Sequence, residues 1–432
     1  MVLLVVWTLF CSRGPALAES EAVDTIGESI AEALKNNWDL KAIRERIQQA
    51  GHVKRQARAE FFPKLSTSYG YLRQSEQRAF RSTLPGGKIA VSSKDNYEWR
   101  GTLMQPVFTG FSLISSYRLA QLGLDQSELD YELGRLELAL QVKEAYFGVL
   151  IAEKGIEVAD KEVEALEEQV KVSRNFYEVG MIPVNDLLKV EVDLADSKQK
   201  LVEVINRARL AHANFNRVLA RPVNDPVRLK DVLTYSPVAV DFDVSVEKAL
   251  ANRPEIKLID VRLLQVEQER RLAMSEYYPQ VSLTYEYIKE GDDPDVSGSP
   301  FHDAGRWEAM LGLSWTFWEW GRSHYAVKEK ESLRDELLKT LASLEDGIRV
   351  EVKEAMLALD ATEKMIPVTK KAVEQGEENL RVNKERYKAQ VTTISEVLDA
   401  QALLTQARVN YYRALYEHHL ARARLERALG TY

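Results

Sequence analysis

Trp307-Glu308-Ala309-Met310-Leu311-Gly312-Leu313-Ser314-Trp315-Thr316-Phe317 alternates along its whole length. Trp307, Ala309, Leu311, Leu313, Trp315 and Phe317 fall on one face, and Glu308, Met310, Gly312, Ser314 and Thr316 on the other. Period two means a strand, because successive side chains of a strand point to opposite faces. Aromatic residues at both ends of the apolar face suit a strand turned toward lipid in a membrane barrel. A half-buried hairpin of a soluble α+β domain carries the same alternation. The length matches the ~9–11 residues that cross a bilayer when tilted. Just upstream, Val281-Ser282-Leu283-Thr284-Tyr285-Glu286-Tyr287 alternates as fully, and the turn-rich segment 289–305, with Gly291-Asp292-Asp293-Pro294, separates the two as an exposed loop.

This strand pair has a fainter copy earlier in the chain, over 64–72 and 97–108, with a polar loop at 73–96 that carries Pro85-Gly86-Gly87. The copying extends further. Ile30-Ala31-Glu32-Ala33-Leu34 returns as Val246-Glu247-Lys248-Ala249-Leu250, 216 positions on, and Phe62-Pro63 returns as Tyr278-Pro279 at the same offset. Val142-Lys143-Glu144-Ala145 returns as Val352-Lys353-Glu354-Ala355 at an offset of 210. Units this long are not solenoid repeats. One module is duplicated, in the order helix, strand, strand, long helix, long helix. Residues 19–220 form the first copy, 221–243 a proline-bearing linker, and 244–432 the second. The leading helices cover 25–60 and 244–276 and stop at Pro63 and Pro279. Second-half strands are expected at 280–289 and 306–317.

Long helices follow each strand pair, at 112–179 and 184–219 and again at 323–389 and 393–429. The first would extend roughly 100 Å at ~1.5 Å per residue, and needs partners along its length. Its successor has a seam of period seven, Leu187, Leu194, Leu201, Ala208 and Phe215. The second half repeats it as Ala400, Ala407, Ala414, Ala421 and Ala428, with Val397, Leu404, Tyr411, His418 and Leu425 three positions earlier. Such heptads impose coiled-coil packing, and alanine lets the axes come close. His418 reads as a packed seam residue; His419 is turned ~100° away and cannot easily share a metal with it. Alone, the helices would fit an antiparallel coiled-coil scaffold. The strands would not.

The 432 residues carry a net charge of −8, with 45% hydrophobic and 29% charged residues. That argues against a nucleic-acid binder and against disorder. No run reaches the ~18–20 apolar residues of a transmembrane helix. Val2 to Phe10 followed by Ala16-Leu17-Ala18 reads as a signal peptide over 1–18, although the usual positive charge before the apolar run is missing. Cys11, the only cysteine, lies within it, preceded by residues too bulky for a lipidation site. No zinc, cofactor or nucleophile-elbow motif is present, and Lys88 lacks the spacing of a phosphate-binding loop. Neither an enzyme nor a cofactor is expected.

The two helix-to-helix turns carry the most specific signal. They are Phe176-Tyr177-Glu178-Val179-Gly180-Met181-Ile182-Pro183-Val184-Asn185-Asp186-Leu187-Leu188 and Tyr387-Lys388-Ala389-Gln390-Val391-Thr392-Thr393-Ile394-Ser395-Glu396-Val397-Leu398-Asp399-Ala400-Gln401. With two strands and two long helices in each half, over about residues 22–430, the chain resembles the TolC-type outer-membrane efflux family. The resemblance implies a trimer in which each protomer gives four strands to a twelve-stranded barrel in outer-membrane lipid. A coiled-coil α-helical tunnel continues the barrel through the periplasm to an adaptor protein and an inner-membrane transporter. Four strands cannot close alone, and an open edge is not viable in hydrocarbon; by strand count a dimer of eight remains open. The resemblance further implies an acidic ring at the entrance from Glu396 and Asp399. It implies gate links through Tyr387 with Asp186 and, where well-studied members carry an arginine, Thr392 opposite Asn185. Gly180, Met181, Ile182, Gln390 and Val391 would form the adaptor-facing turns. A lone methionine such as Met181 is an apolar tip contact rather than a metal ligand.

Overall fold

The structure, a computed structural model, describes residues 23–81, 87–237 and 240–432. The segment read as a signal peptide, with Cys11, and the Pro85-Gly86 turn lie outside them. In the first half α1 (Ile26–Asn36) and α2 (Trp38–Ala59) lead to β1 (Lys64–Arg73), β2 (Ala79–Arg81), β3 (Lys88–Ala90) and β4 (Asp95–Thr109), then to α3 (Ser112–Glu178) and α4 (Val184–Leu219). In the second, α5 (Phe242–Asn252) and α6 (Pro254–Met274) lead to β5 (Gln280–Gly291) and β6 (Gly305–Ser314), then to α7 (Arg322–Lys388) and α8 (Ile394–Ala428).

Three expectations need correction. The leading helix of each half is two helices, not one. The breaks fall at Asn37 and Arg253, where the backbone is extended (ψ 132° and 126°). Pro254 forces the second break, since the residue before a proline is driven out of helical geometry. In the first, the Asn37 side chain donates to the Val218 carbonyl at 2.9 Å and secures the kink. The starts match as well. Thr25 and Glu28 form a capping box on α1, and the Asp241 carboxylate accepts from the Val244 amide at 3.0 Å. The segment 73–96 is not wholly loop, because β2 and β3 pair there with Phe80 opposite Ile89. Finally, β6 ends at Ser314 rather than 317. Trp315 and Phe317 lie beyond it, with the Trp315 indole donating to the Tyr277 carbonyl at 3.2 Å.

Both strand-to-helix junctions use two consecutive left-handed residues, Gly110 and Phe111 (φ 62° and 73°) and Trp320 and Gly321 (φ 58° and 86°). They stand 210 positions apart, so each repeat spends its one glycine at a different place in the same turn. At Gly110 the choice is steric, because an added Cβ would lie 2.4 Å from the Ser275 carbonyl oxygen. The helix starts are capped alike, by Thr109 Oγ1 at the Leu113 amide and by Glu319 Oε1 at the Ser323 amide.

The packing divides the chain into two compact units that cut across the repeats. One comprises Asp39–Gly134 and Val246–Val350; the other comprises residues 23–38, Arg135–Ser245 and Glu351–Tyr432. The first holds an antiparallel four-stranded sheet of order β1-β4-β5-β6, in which β4 of one repeat pairs with β5 of the other. The second is built on the heptad seams. Leu187, Val190, Ser197, Ala208, Phe215 and Val218 of α4 are buried, as are Val397, Ala400, Leu404, Ala414, His418, Ala421, Leu425 and Ala428 of α8. A strap over 221–237 is pinned in this unit, where the Tyr146 hydroxyl donates to the carbonyls of Asp24 and Lys230. Burial pushes that phenol up to about 12.

Candidate functional site

The two helix-to-helix turns have the same geometry. After α3 the Met181 amide donates to the Phe176 carbonyl at 2.8 Å and the Gly180 amide to Tyr177 at 2.9 Å. After α7 the Val391 amide donates to Arg386 and the Gln390 amide to Tyr387, both at 2.9 Å. This six-to-one plus five-to-two pattern ends a helix on a left-handed residue. Gly180 supplies it at φ 75°, and Gln390 adopts it at φ 59°. The missing glycine does not change the turn; it adds about 1 kcal/mol of left-handed strain.

Behind the turns the four helix ends share a core of Leu166, Val170, Val190, Leu380, Ile394, Val397 and Leu404. Tyr387 is buried in it, its ring 5.6 Å from that of Phe176. Here the structure departs from the expected link. The Tyr387 hydroxyl lies 3.2 Å from Ser173 Oγ on α3, and no side-chain hydrogen bond joins it to Asp186 among the described residues. Burial, and then the nearby Asp186 charge, push the phenol above its ordinary value, against the Ser173 bond. Asn185 is exposed and Thr392 half-buried, and no side-chain hydrogen bond joins them either, among the described residues. Two links were not legible in the sequence. Lys189 donates to Ser395 Oγ at 2.8 Å, tying α4 to α8. Arg174 pairs with Glu191 at 2.7 Å, tying α3 to α4.

Glu396 and Asp399 are both exposed on α8, whereas Val397, Leu398 and Ala400 between and after them are buried. Spaced i and i+3, they share one face. Gly180, Met181, Gln390 and Val391 are exposed at the turns, and Ile182 is half-buried. Among the described residues no group of three or more His, Cys, Asp or Glu side chains is arranged to hold a metal ion. His418 is buried against Tyr235 with its Nδ1 unpartnered, and His419 stacks on Phe147 and bonds the Thr234 carbonyl.

The sheet has two unlike faces. Strand register places Leu65, Tyr69, Tyr71, Tyr97, Trp99, Leu103, Leu283, Tyr285, Tyr287, Trp307, Leu311 and Leu313 on one side. Their rings touch across strands, with Tyr71 stacked on Tyr97 at 4.7 Å and Tyr285 on Trp307 at 6.1 Å. A bulge in β4 between Pro106 and Phe108 turns Phe108 onto this side as well. Leu65 is 80% exposed and Leu311 70% exposed, far more apolar surface than a water-facing sheet shows. The opposite face carries Ser66, Ser68, Glu98, Arg100, Thr102, Thr284, Glu286, Arg306 and Glu308. Within one chain β1 and β6 are open edges.

The family model of outer membrane efflux proteins matches residues 29–221 and 245–431, nearly the whole described chain. The chain belongs to the outer membrane efflux protein family. The alkaline protease secretion protein AprF of Pseudomonas aeruginosa is 22% identical, over 92% of this chain and 83% of that protein. The pyoverdine export outer membrane protein OpmQ of the same organism is 20% identical, over 93% and 82%. In fold, the Campylobacter jejuni CmeC outer membrane channel superposes with a TM-score of 0.80 at 17% identity, covering 100% of this chain and 94% of that one. The efflux protein is thus an outer-membrane channel that extends into the periplasm, the outer component of a tripartite export or secretion system, and its family is not enzymatic. A soluble coiled-coil scaffold is overturned by the family match. Homologues of this fold form trimeric channels. No described helix is long and apolar enough to cross a membrane.

Proposed function

We propose that three copies of this chain close a twelve-stranded barrel by pairing β6 of each with β1 of the next. The resulting duct receives cargo from a periplasmic adaptor and an inner-membrane transporter. The sheet carries this reading. It has two open edges, an aromatic side suited to lipid and a polar side suited to water, and hydrocarbon tolerates strands only when no edge is left open. Glu396 and Asp399 would then place six carboxylates around the tunnel entrance, where they attract cations. The buried Tyr387–Ser173 contact, with the Asp186 charge near it, would hold that entrance shut together with the turn residues Asn185 and Thr392. The turns at Gly180, Met181, Ile182, Gln390 and Val391 would meet the adaptor. Relatives named for protease secretion and for pyoverdine export share this duct, so the cargo is selected by the transporter rather than by this chain.

Cysteines along the two edges test the assembly. With Ser66→Cys or Ser68→Cys in β1 and Glu308→Cys or Met310→Cys in β6, oxidation in outer membranes should yield a covalent ladder that ends at three chains. A ladder ending at two would mean an eight-stranded dimer, and no cross-linking in any combination would remove the closed barrel.

A further inference from the structure

We propose that the barrel carries its own charge filter, a girdle of Glu98, Arg100, Glu286, Glu290, Arg306 and Glu308 on its water-facing wall, separate from the acidic pairs of the helix turns. This rests on the barrel reading above.

Register puts all six side chains on the sheet face opposite the aromatic one. Arg100 lies between Glu98 at 2.9 Å and Glu286 at 2.5 Å, on β4 and β5. Arg306 lies between Glu290 at 2.6 Å and Glu308 at 3.1 Å, on β5 and β6. The pairs fill three neighbouring rows of the sheet, a band about 13 Å deep at ~3.3 Å per residue. In the closed barrel the aromatic face is the one turned to lipid, and register sets all six on the other. They therefore face the lumen.

Four glutamates against two arginines leave two uncompensated negative charges in each chain, and six around a trimer. The arginines do more than neutralise. Each is shared between two carboxylates on neighbouring strands, which fixes the acids in the wall instead of letting them splay. A ring of fixed charge of one sign favours counter-ions in the pore. Its reach is the Debye length, ~30 Å at 0.01 M salt and ~3 Å at 1 M. The girdle should thus act strongly on small ions in dilute solution and vanish in concentrated salt. Cargo passing the barrel would meet a wall that repels anions and lets cations through.

The test is reversal potential in a planar bilayer under a potassium chloride gradient near 0.01 M, using full-length trimers that carry Glu396→Ala and Asp399→Ala, so that the entrance ring is silent. These channels should remain cation-selective. Glu286→Gln with Glu308→Gln should lower the potassium-to-chloride permeability ratio about two-fold, and Arg100→Gln should raise it by a similar factor. Arg306→Gln serves as the second arginine variant if Arg100→Gln does not assemble. Equal ratios in all variants, or glutamate and arginine variants shifting the same way, would overturn the girdle while leaving the channel intact. Inserted trimers that pass no current at all would overturn the barrel reading and the girdle with it.

Discussion

The hydroxyl of Tyr387 shows how much the tip depends on single atoms. It is buried where α3, α4, α7 and α8 converge, and its partner is Ser173. A neutral hydrogen bond of this kind is worth about 0.5–1.5 kcal/mol net, and leaving one partner buried and unpaired costs more. Ser173→Ala and Tyr387→Phe should each raise the resting leak of the channel to large antibiotics. The double variant should leak no more than the worse single one, because both remove the same bond. Additive effects in antibiotic-sensitivity titrations would mean that each residue acts alone. The resemblance singled out Tyr387 with Asp186 as its partner, whereas the hydroxyl contact in the structure is with Ser173. Ser173 lies two turns back along α3, in a helix where a serine carries no pattern of its own. Gln390 shows the converse. The sequence marks it as a departure from glycine, yet the turn keeps its hydrogen bonds because the strain is small beside the core that holds α7 and α8 together.

Among the elements, the long helices and strands were readable because their periods persist over many residues. Of the seam positions, Leu187, Ala208 and Phe215 of α4 and Ala400, Ala414, Ala421 and Ala428 of α8 are buried, while Leu194, Leu201 and Ala407 are half-buried. Short-range features were lost. The breaks at Asn37 and Arg253 interrupt a helical pattern for a single residue, and only Pro254 announces one of them. The β2–β3 pair is three residues a side, too short for alternation to register. The strap over 221–237 was read as a linker, and its attachments come from distant helices. His418 and His419 of α8 are two of these. Burial pushes both imidazoles below the ordinary value of 6.5, Arg422 pushes the same way, and His418 lowers His419 further; Glu363 and the Ser236 and Thr234 backbones oppose this. A depressed folded value means that the neutral form is the one the fold holds. The stability it contributes is present above pH 6.5 and is lost as the pH falls through the folded value. Hydrogen exchange at residues 232–236, corrected for intrinsic rate, should therefore accelerate at about pH 5 relative to about pH 7.5. His419→Gln, which keeps a donor, should flatten much of that dependence. Equal protection at both pH values would show that the histidines do not hold the strap.

At the scale of the molecule, duplication gave the order of elements, and the open sheet edges of one chain demand others to close them. What the sequence could not convey is that the compact units are not the repeats. Each unit draws on both copies, because β4 of the first pairs with β5 of the second and because the seams of α4 and α8 are buried in the same unit. Sequence similarity reports ancestry, whereas packing reports which surfaces had to be hidden. In the proposed assembly this chain forms a gated outer-membrane duct whose entrance is ringed by Glu396 and Asp399. Single-channel recording of the purified trimer, with trivalent cation added on the tip side, tests it most directly. Discrete cation-selective steps that the trivalent ion blocks are expected, with loss of that block in Glu396→Ala with Asp399→Ala. Correctly folded trimers that insert without steps, or steps that the trivalent ion blocks equally in the variant, would contradict it.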